Sequence, residues 1–270
     1  MSEYFEFLQH CRPFVRDSRE TLSLHFSIGE TQSMMSRQRP FDLELAYTKT
    51  MMGFLLAKPN PSHILMIGLG GGSLAKFCYQ NLQQARITVV EINPHVIARR
   101  RQFLIPDDDQ RFNVVCADGA DFVLDTQSKF DVVMVDGFDQ HGVCAQLSTR
   151  TFYENCFACM THRSVFVVNL DAAHPAHPLS LDRIGNTFMG NSVEIGIPQR
   201  NNCVAFAGKG IPISARGMSL SWTLEHHAVQ VQAQLKTEFA RILEILDSRE
   251  PLGHGLHPSL DTDYLLNPGL

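Results

Sequence analysis

From Ser62 onward the sequence alternates two textures that one class of fold accommodates. HILMIGL, RITVVEI, FNVVCAD, FDVVMVDGF and SVFVVNL are apolar runs of strand length. SLAKFCYQNL, PHVIARRRQFL, GADFVLDT and STRTFYENCFACM lie between them, each with helical length and pattern. Strands separated by a helix pair in parallel, because a parallel neighbour is reached only through a crossover. The order predicts an α/β fold with a doubly wound, mostly parallel sheet. NSVEIGI and NCVAFAG are joined only by PQRN, too short for a crossover, and are expected to close the sheet as an antiparallel pair.

The flanks read differently. LSLHFSI (22–28) and TQSMMS (31–36) predict a small N-terminal β-hairpin region. FDLELAYTKTMMGFLL (41–56) predicts a helix stopped by Lys58-Pro59-Asn60-Pro61, which cannot continue one. HHAVQVQAQLKTEFARILEIL (226–246) predicts a long C-terminal helix, and the tail from Pro251 is rich in Pro and Gly. The expected division is an N-terminal region over 1–58, a Rossmann-like catalytic domain over 59–250 and a tail over 251–270.

Composition narrows the classes of function. A chain of 270 residues with 44% hydrophobic content buries a substantial core, and a formal charge of −5 offers no basic excess for nucleic acid or an anionic membrane. The basic run Arg99-Arg100-Arg101 is answered by Asp107-Asp108-Asp109 and reads as a solvated helix end. No segment approaches the roughly 18 apolar residues of a membrane span, and MSEYFEFLQH carries acids where a signal peptide carries bases. A cytoplasmic protein is expected, and its seven cysteines, mostly set in apolar runs, are expected to be buried reduced thiols. Cys156 and Cys159, with His162 close by, lack the second pair that a structural zinc site uses, and core packing is expected. His174 and His177 sit in DAAHPAHP, where two prolines predict an irregular loop. No metal site is expected.

The chemistry is written at the strand ends. In ILMIGLGGGSLAK, Gly68, Gly70, Gly71 and Gly72 form the loop above the first strand of the α/β region, at the carboxyl edge where open α/β sheets bind ligands. Glycine there permits a tight turn and close approach of a ligand to the backbone. Glu91 ends the next strand, 23 residues after Gly68, where an acid can accept both hydroxyls of an adenosine ribose. Asp118 ends the third, placed to accept from an adenine amine. The glycines are contiguous, unlike the spaced G-x-G-x-x-G of pyrophosphate sites, and the loop carries no Arg or Lys. An S-adenosyl compound, with a sulfonium and no phosphate, fits better than a dinucleotide.

From about Asp42 to Gly208 the chain resembles the polyamine aminopropyltransferases, or spermidine synthases. The resemblance rests on KPNPSHILMIGLGGGSL, VVEINPHVI, CADGADFV, FDVVMVDGFD, and STRTFY followed by VFVVNL. It implies the S-adenosylmethionine-dependent methyltransferase fold, a homodimer formed through the small N-terminal β region, and transfer of an aminopropyl group to a small-molecule amine. The donor implied is decarboxylated S-adenosylmethionine, a co-substrate and not a tightly bound cofactor. Carried over by position, Glu91 holds the ribose, Asp118 with the Gly119 backbone holds the adenine, Ile92 is a further cofactor-binding residue, and Asp136 and Asp139 match the D-x-x-D that deprotonates and positions the amine. A carboxylate in that place makes sense independently, since an alkylammonium cannot attack carbon until it loses a proton.

The departures fall on the amine side. Gly71 replaces an Asp that binds the donor's aminopropyl nitrogen, Ala46-Tyr47 replaces Tyr-Gln, Asn169 replaces Gln, and Arg200 falls near a substrate-facing Tyr. Gln140 stands in place of the Pro after the second aspartate. Tyr47, Asn169 and Arg200 are the expected acceptor-side residues. Without the loop aspartate, intact S-adenosylmethionine remains a possible donor, since bare N–H groups accept a carboxylate. Methyl transfer is an alternative, although Met66 and Ile67 stand where methyltransferases commonly carry an acid. A non-catalytic nucleoside-binding homologue is another, and a nicotinamide dehydrogenase comes last.

Overall fold

The structure is a computed structural model that describes residues 12–27, 31–139 and 142–249; the side chains of residues 138, 139, 142 and 143 fall outside that description. Three strands open the chain, β1 (Phe14–Asp17), β2 (Thr21–His25) and β3 (Ser33–Ser36), and form an antiparallel sheet with β2 in the middle. Two short helices follow, α1 (Ala46–Met51) and α2 (Phe54–Ala57). The α/β region then runs β4 (His63–Ile67), α3 (Ser73–Asn81), β5 (Arg86–Glu91), α4 (Pro94–Ile97), β6 (Phe112–Cys116), α5 (Gly119–Asp125) and β7 (Phe130–Val135). A small hairpin of β8 (Phe138–Asp139) and β9 (Gly142–Val143) leads to a 3₁₀ turn (Ala145–Ser148). Next come α6 (Arg150–Cys159), β10 (Met160–Asp171), α7 (His177–Thr187), β11 (Ser192–Gly196) and β12 (Asn202–Lys209). The described chain ends with α8 (Leu220–Glu225) and α9 (Val229–Arg249).

The main sheet has seven strands in the order β11-β12-β10-β7-β4-β5-β6. β10, β7, β4, β5 and β6 are parallel, and β11 and β12 join them antiparallel, as the short PQRN connection requires. Strand alternation sends side chains to two cores. Ile64, Met66, Val165 and Val167 pack on one face with the helices that carry Phe54, Phe77, Val96 and Phe239, and with Leu22, Leu24 and Met35 of the N-terminal sheet. Leu65, Ile67, Phe166 and Val168 pack on the other with Val123, Phe152, Cys156 and Ile184 of α5, α6 and α7. Cys156 and Cys159 lie buried on one side of α6, as their spacing predicts. Among the described residues no helix is long and apolar enough to cross a membrane.

Several elements differ from the sequence reading. The N-terminal region holds three strands, because FVRD adds β1 to the expected hairpin. The helix expected over 41–56 starts at Ala46 and breaks at Gly53, where a Cβ would meet Ile242 Cδ1 at 2.7 Å and Thr50 O at 2.8 Å. Leu43 N–H instead donates to Gln234 Oε1 at 2.9 Å, and Gln234 Nε2 donates to Asp42 Oδ1 at 2.8 Å, so α9 fixes the chain that leads into α1. PHVIARRRQFL is helical only over Pro94–Ile97 and continues as turns to Leu104, which adopts φ 55°. Burial of Phe103 and Ile105 beneath the glycine loop fixes that path; Arg99 and Arg101 are exposed as expected, while Arg100 pairs with Asp108 at 2.8 Å. The irregular loop expected at DAAHPAHP ends at His177, where α7 begins with Pro178 in its first turn. The tail from Pro251 lies outside the described residues.

Candidate active site

The strand order reverses between β4 and β7, so the connections that follow these two paired strands leave to opposite faces of the sheet and a crevice opens above their carboxyl ends. Gly68 and Asp136 sit there side by side: Gly68 N–H donates to Val90 O and Asp136 N–H to Ile67 O, each at 2.8 Å. Gly68 has φ 98°, and a Cβ on it would run into the Asp136 carbonyl. Only glycine lets the loop lie this close to the backbone that carries Asp136.

Above this junction opens a cavity of about 970 Å³. One side of it is lined by Gly68, Gly70, Glu91, Ile92, Asp118 and Gly119. Glu91 is buried, and its two oxygens accept the Leu69 and Asn93 N–H groups, each at 2.8 Å. Burial pushes its pKa up, and backbone bonds from Leu69, Asn93, Gly70 and Ile92 oppose that push. The carboxylate thus holds the glycine loop as well as facing the cavity. Asp118 caps α5, accepting from Ala120 N at 2.6 Å and Asp121 N at 3.4 Å, both on Oδ1, which leaves Oδ2 uncommitted to the cap. A Cβ on Gly119 would strike Ile67 Cγ2, so the α5 N-terminus packs tightly on β4 at the cavity wall.

The other side is organised around Asp136. Asn169 Nδ2 donates to its Oδ1 at 2.9 Å and Tyr47 Oη donates to its Oδ2 at 3.1 Å. Asn202 Nδ2 donates in turn to Asn169 Oδ1 at 3.2 Å, and the Tyr47 hydroxyl also lies 3.4 Å from Gln32 O. Burial raises the Asp136 pKa while its bonds to Asn169 and Tyr47 lower it. Burial, and then the Asp136 charge, holds the Tyr47 phenol well above its ordinary range, so it remains a donor. Among the described residues the cavity is lined by five acids, Glu44, Glu91, Asp118, Asp136 and Asp171, and one base, Arg200. Such a surface attracts a cation and repels a phosphate.

A family model described as the spermine/spermidine synthase domain matches residues 44–181. A polyamine aminopropyltransferase of Chromobacterium violaceum is 34% identical over 236 residues, which cover 86% of this chain and 88% of that one. The chain belongs to the spermine/spermidine synthase family. A polyamine aminopropyltransferase of Neisseria meningitidis is 33% identical over 192 residues, covering 70% of this chain and 73% of that one. Among solved structures, a probable spermidine synthase from Corynebacterium glutamicum superposes with a TM-score of 0.66 at 15% identity, covering 92% of this chain and 95% of that one. A spermidine synthase in complex with the transition state analogue AdoDATO gives 0.59 at 20% identity, covering 87% and 84%. These two likenesses establish the shared fold.

For this synthase-family chain, the structure gathers Gly68, Gly70, Glu91, Ile92, Asp118, Gly119, Asp136, Tyr47, Asn169 and Arg200 at one cavity. Two expected residues fall elsewhere. Gly71 and Gly72 are not among the lining residues: a Cβ on Gly71 would meet Ser33 Oγ at 2.6 Å and Phe103 Cδ1 at 2.9 Å, and one on Gly72 would meet Ile105. They let the loop seat on its own support and do not contact the cavity. Arg200 lines the cavity from an exposed turn and has no hydrogen bond to the Asp136 cluster. Asp139 lies in β8, three residues beyond Asp136, and its side chain is outside the described residues. Sequence reasoning missed Gln32 and Ser33 of the N-terminal region, the wall residues Gln146 and Leu147, and Asn202. Only the polar pair Asn201-Asn202 at the head of an otherwise apolar strand signalled such a role.

Proposed function

We propose that this chain transfers the aminopropyl group of decarboxylated S-adenosylmethionine to a small-molecule amine. The observation that carries the reading is the Asp136 carboxylate, held by Tyr47 and Asn169 against the glycine loop in an acid-lined cavity. The names of the relatives agree with it. Glu91 receives the ribose and Asp118 the adenine. In the reaction the acceptor ammonium gives a proton to Asp136, its nitrogen forms the new bond to carbon, and the carbon–sulfur bond breaks. The sulfonium leaves as the neutral thioether 5′-methylthioadenosine. Tyr47 and Asn169 fix the carboxylate oxygens so that base and acceptor are positioned before chemistry. The preponderance of cavity acids favours the decarboxylated donor, which lacks the carboxylate of S-adenosylmethionine itself.

The protein works as a homodimer in the cytoplasm under this reading. The N-terminal sheet supports the dimer, since among the described residues β1 is an outer strand and carries exposed Phe14. The six described cysteines are free thiols, as a reducing compartment maintains. Calorimetric titration tests the nucleoside assignment that the proposal requires. Decarboxylated S-adenosylmethionine and 5′-methylthioadenosine should bind more tightly than S-adenosylmethionine, and no binding of any of the three would end the reading.

A further inference from the structure

Three potential ligands from three elements meet on the face of the sheet covered by α7, outside the cavity. His177 is the first residue of α7, Glu194 lies on the edge strand β11, and Cys203 is the second residue of β12. His177 Nε2 is 3.1 Å from Glu194 Oε1 and 3.2 Å from Cys203 Sγ. All three ligand atoms lie within 4.8 Å of one another, and none of the three residues lines the cavity. We propose that His177, Glu194 and Cys203 bind a divalent cation of the zinc class that staples the start of α7 to the β11–β12 hairpin.

The donor chemistry selects that class of ion. One imidazole nitrogen, one carboxylate oxygen and one sulfur form a borderline-soft set, suited to zinc and poorly suited to calcium or magnesium, which take oxygen ligands. Zinc bonds of about 2.0 to 2.3 Å at tetrahedral angles place ligand atoms about 3.3 to 3.7 Å apart. The separations of 3.1 and 3.2 Å from His177 Nε2 widen by only a few tenths of an ångström to admit the ion. Three protein ligands leave a fourth position for water. The Glu194 side chain is 30% exposed and the His177 side chain 11%, so an ion has a path in, while Cys203 is buried and anchors the inner side.

Local structure holds the histidine in place without the ion. Asp171 accepts the Ala173 N–H on Oδ1 and the His174 N–H on its carbonyl, and His174 Nδ1 accepts the Ala176 N–H. His177 N–H closes the turn on His174 O at 2.9 Å. His174 is thereby engaged with its own loop, and His177 is the histidine directed at Cys203. The staple would lie directly behind the amine side of the cavity. Asp171, which ends β10, Gln199 to Asn201 of the link between β11 and β12, and Asn202 at the start of β12 all contribute to that wall.

The test uses the full chain after chelator treatment, titrated with Zn²⁺ by calorimetry and with Co²⁺ by absorption. The expected result is one tight equivalent, with the near-ultraviolet thiolate-to-cobalt band and the visible bands of a four-coordinate site. Cys203→Ser should abolish the charge-transfer band. Glu194→Gln, at a partly exposed position that leaves the buried core intact, should weaken Zn²⁺ binding by tenfold or more, as should His177→Gln. Failure of the wild-type chain to bind a stoichiometric ion would overturn the proposal. So would a cobalt spectrum unchanged by Cys203→Ser, or a Zn²⁺ affinity unchanged in both Glu194→Gln and His177→Gln. In those cases the three groups form a hydrogen-bonded cluster and no more.

Discussion

Asp136→Asn separates what the buried carboxylate does for catalysis from what it does to the fold. The amide is nearly isosteric, and the neighbours dictate its orientation. Asn169 presents an N–H donor to Oδ1, so the amide oxygen must face Asn169 and the NH₂ must face Tyr47. The Tyr47 hydroxyl can then turn its proton to Gln32 O, 3.4 Å away, and accept from the new NH₂. That exchange weakens about one hydrogen bond, a cost of about 0.5 to 1.5 kcal/mol. Against it stands removal of a charge. The Asp136 pKa is raised by burial, with Asn169 and Tyr47 opposing, so the folded state holds its proton more tightly than the unfolded chain does. The stability this lends is present in full below the unfolded value of about 3.9 and is lost as pH rises through the folded pKa. The variant should therefore gain stability relative to the parent between acid and neutral pH. Turnover should move the other way, falling about 100-fold or more for loss of a general base, equivalent to ~2.7 kcal/mol of transition-state stabilisation. The parent's activity should decline on the acid side at a pH above the ordinary carboxylate range, and that limb should vanish in the variant. The assays are 5′-methylthioadenosine formation and thermal unfolding, both as functions of pH. Parent-like turnover, or a stability deficit that grows with rising pH, would refute the reasoning.

Three further perturbations probe the supports of the site. Tyr47→Phe removes a bond that lowers the Asp136 pKa, so the acid limb of the kcat profile should shift to higher pH; an unmoved limb would remove Tyr47 from the catalytic cluster. Glu91→Gln replaces one of two oxygens that accept the Leu69 and Asn93 N–H groups, so an amide nitrogen must face an N–H; nucleoside affinity by calorimetry should fall about tenfold to a hundredfold. Gly72→Val places its side chain against Ile105 at a φ of 71°, and should lower the melting temperature and weaken nucleoside binding indirectly; a parent-like melting temperature would contradict that packing.

The sheet was legible because its signals are local and repeated. Buried strands bounded by helices of fixed length leave little choice of topology, and a four-residue link between NSVEIGI and NCVAFAG permits only an antiparallel pair. Glu91, Asp118 and Asp136 were legible for the same reason, since Glu91 ends its strand and Asp118 and Asp136 follow theirs within two residues at the ligand-binding edge. The elements that sequence misread are those whose form depends on distant contacts. Gly53 interrupts a helical pattern because Ile242 occupies the space a Cβ needs, and residues 98–104 leave the α-helix to bury Phe103 beside Gly71. Gly71 and Gly72 share the loop with Gly68 and Gly70 but meet packing instead of the cavity, a distinction that a contiguous run of glycines does not carry. The partners of Asp136 show the same limit. Tyr47 and Asn169 stand out in the sequence only as departures from the family pattern, and their convergence on one carboxylate requires α1 and β10 in place. His177, Glu194 and Cys203 are separated by 17 and 9 positions and form no motif, so their meeting is visible only in the fold.

The central claim is the transfer of an aminopropyl group with Asp136 as the base. A single-turnover reaction with enzyme in excess over decarboxylated S-adenosylmethionine, run with a panel of diamines and read by mass spectrometry, tests it most directly. The account predicts 5′-methylthioadenosine and an amine heavier by one aminopropyl group, formed in equal amounts and at least about 100-fold more slowly by Asp136→Asn. Adenosylhomocysteine formed from S-adenosylmethionine in a parallel reaction, with no methylthioadenosine from the decarboxylated donor, would contradict it.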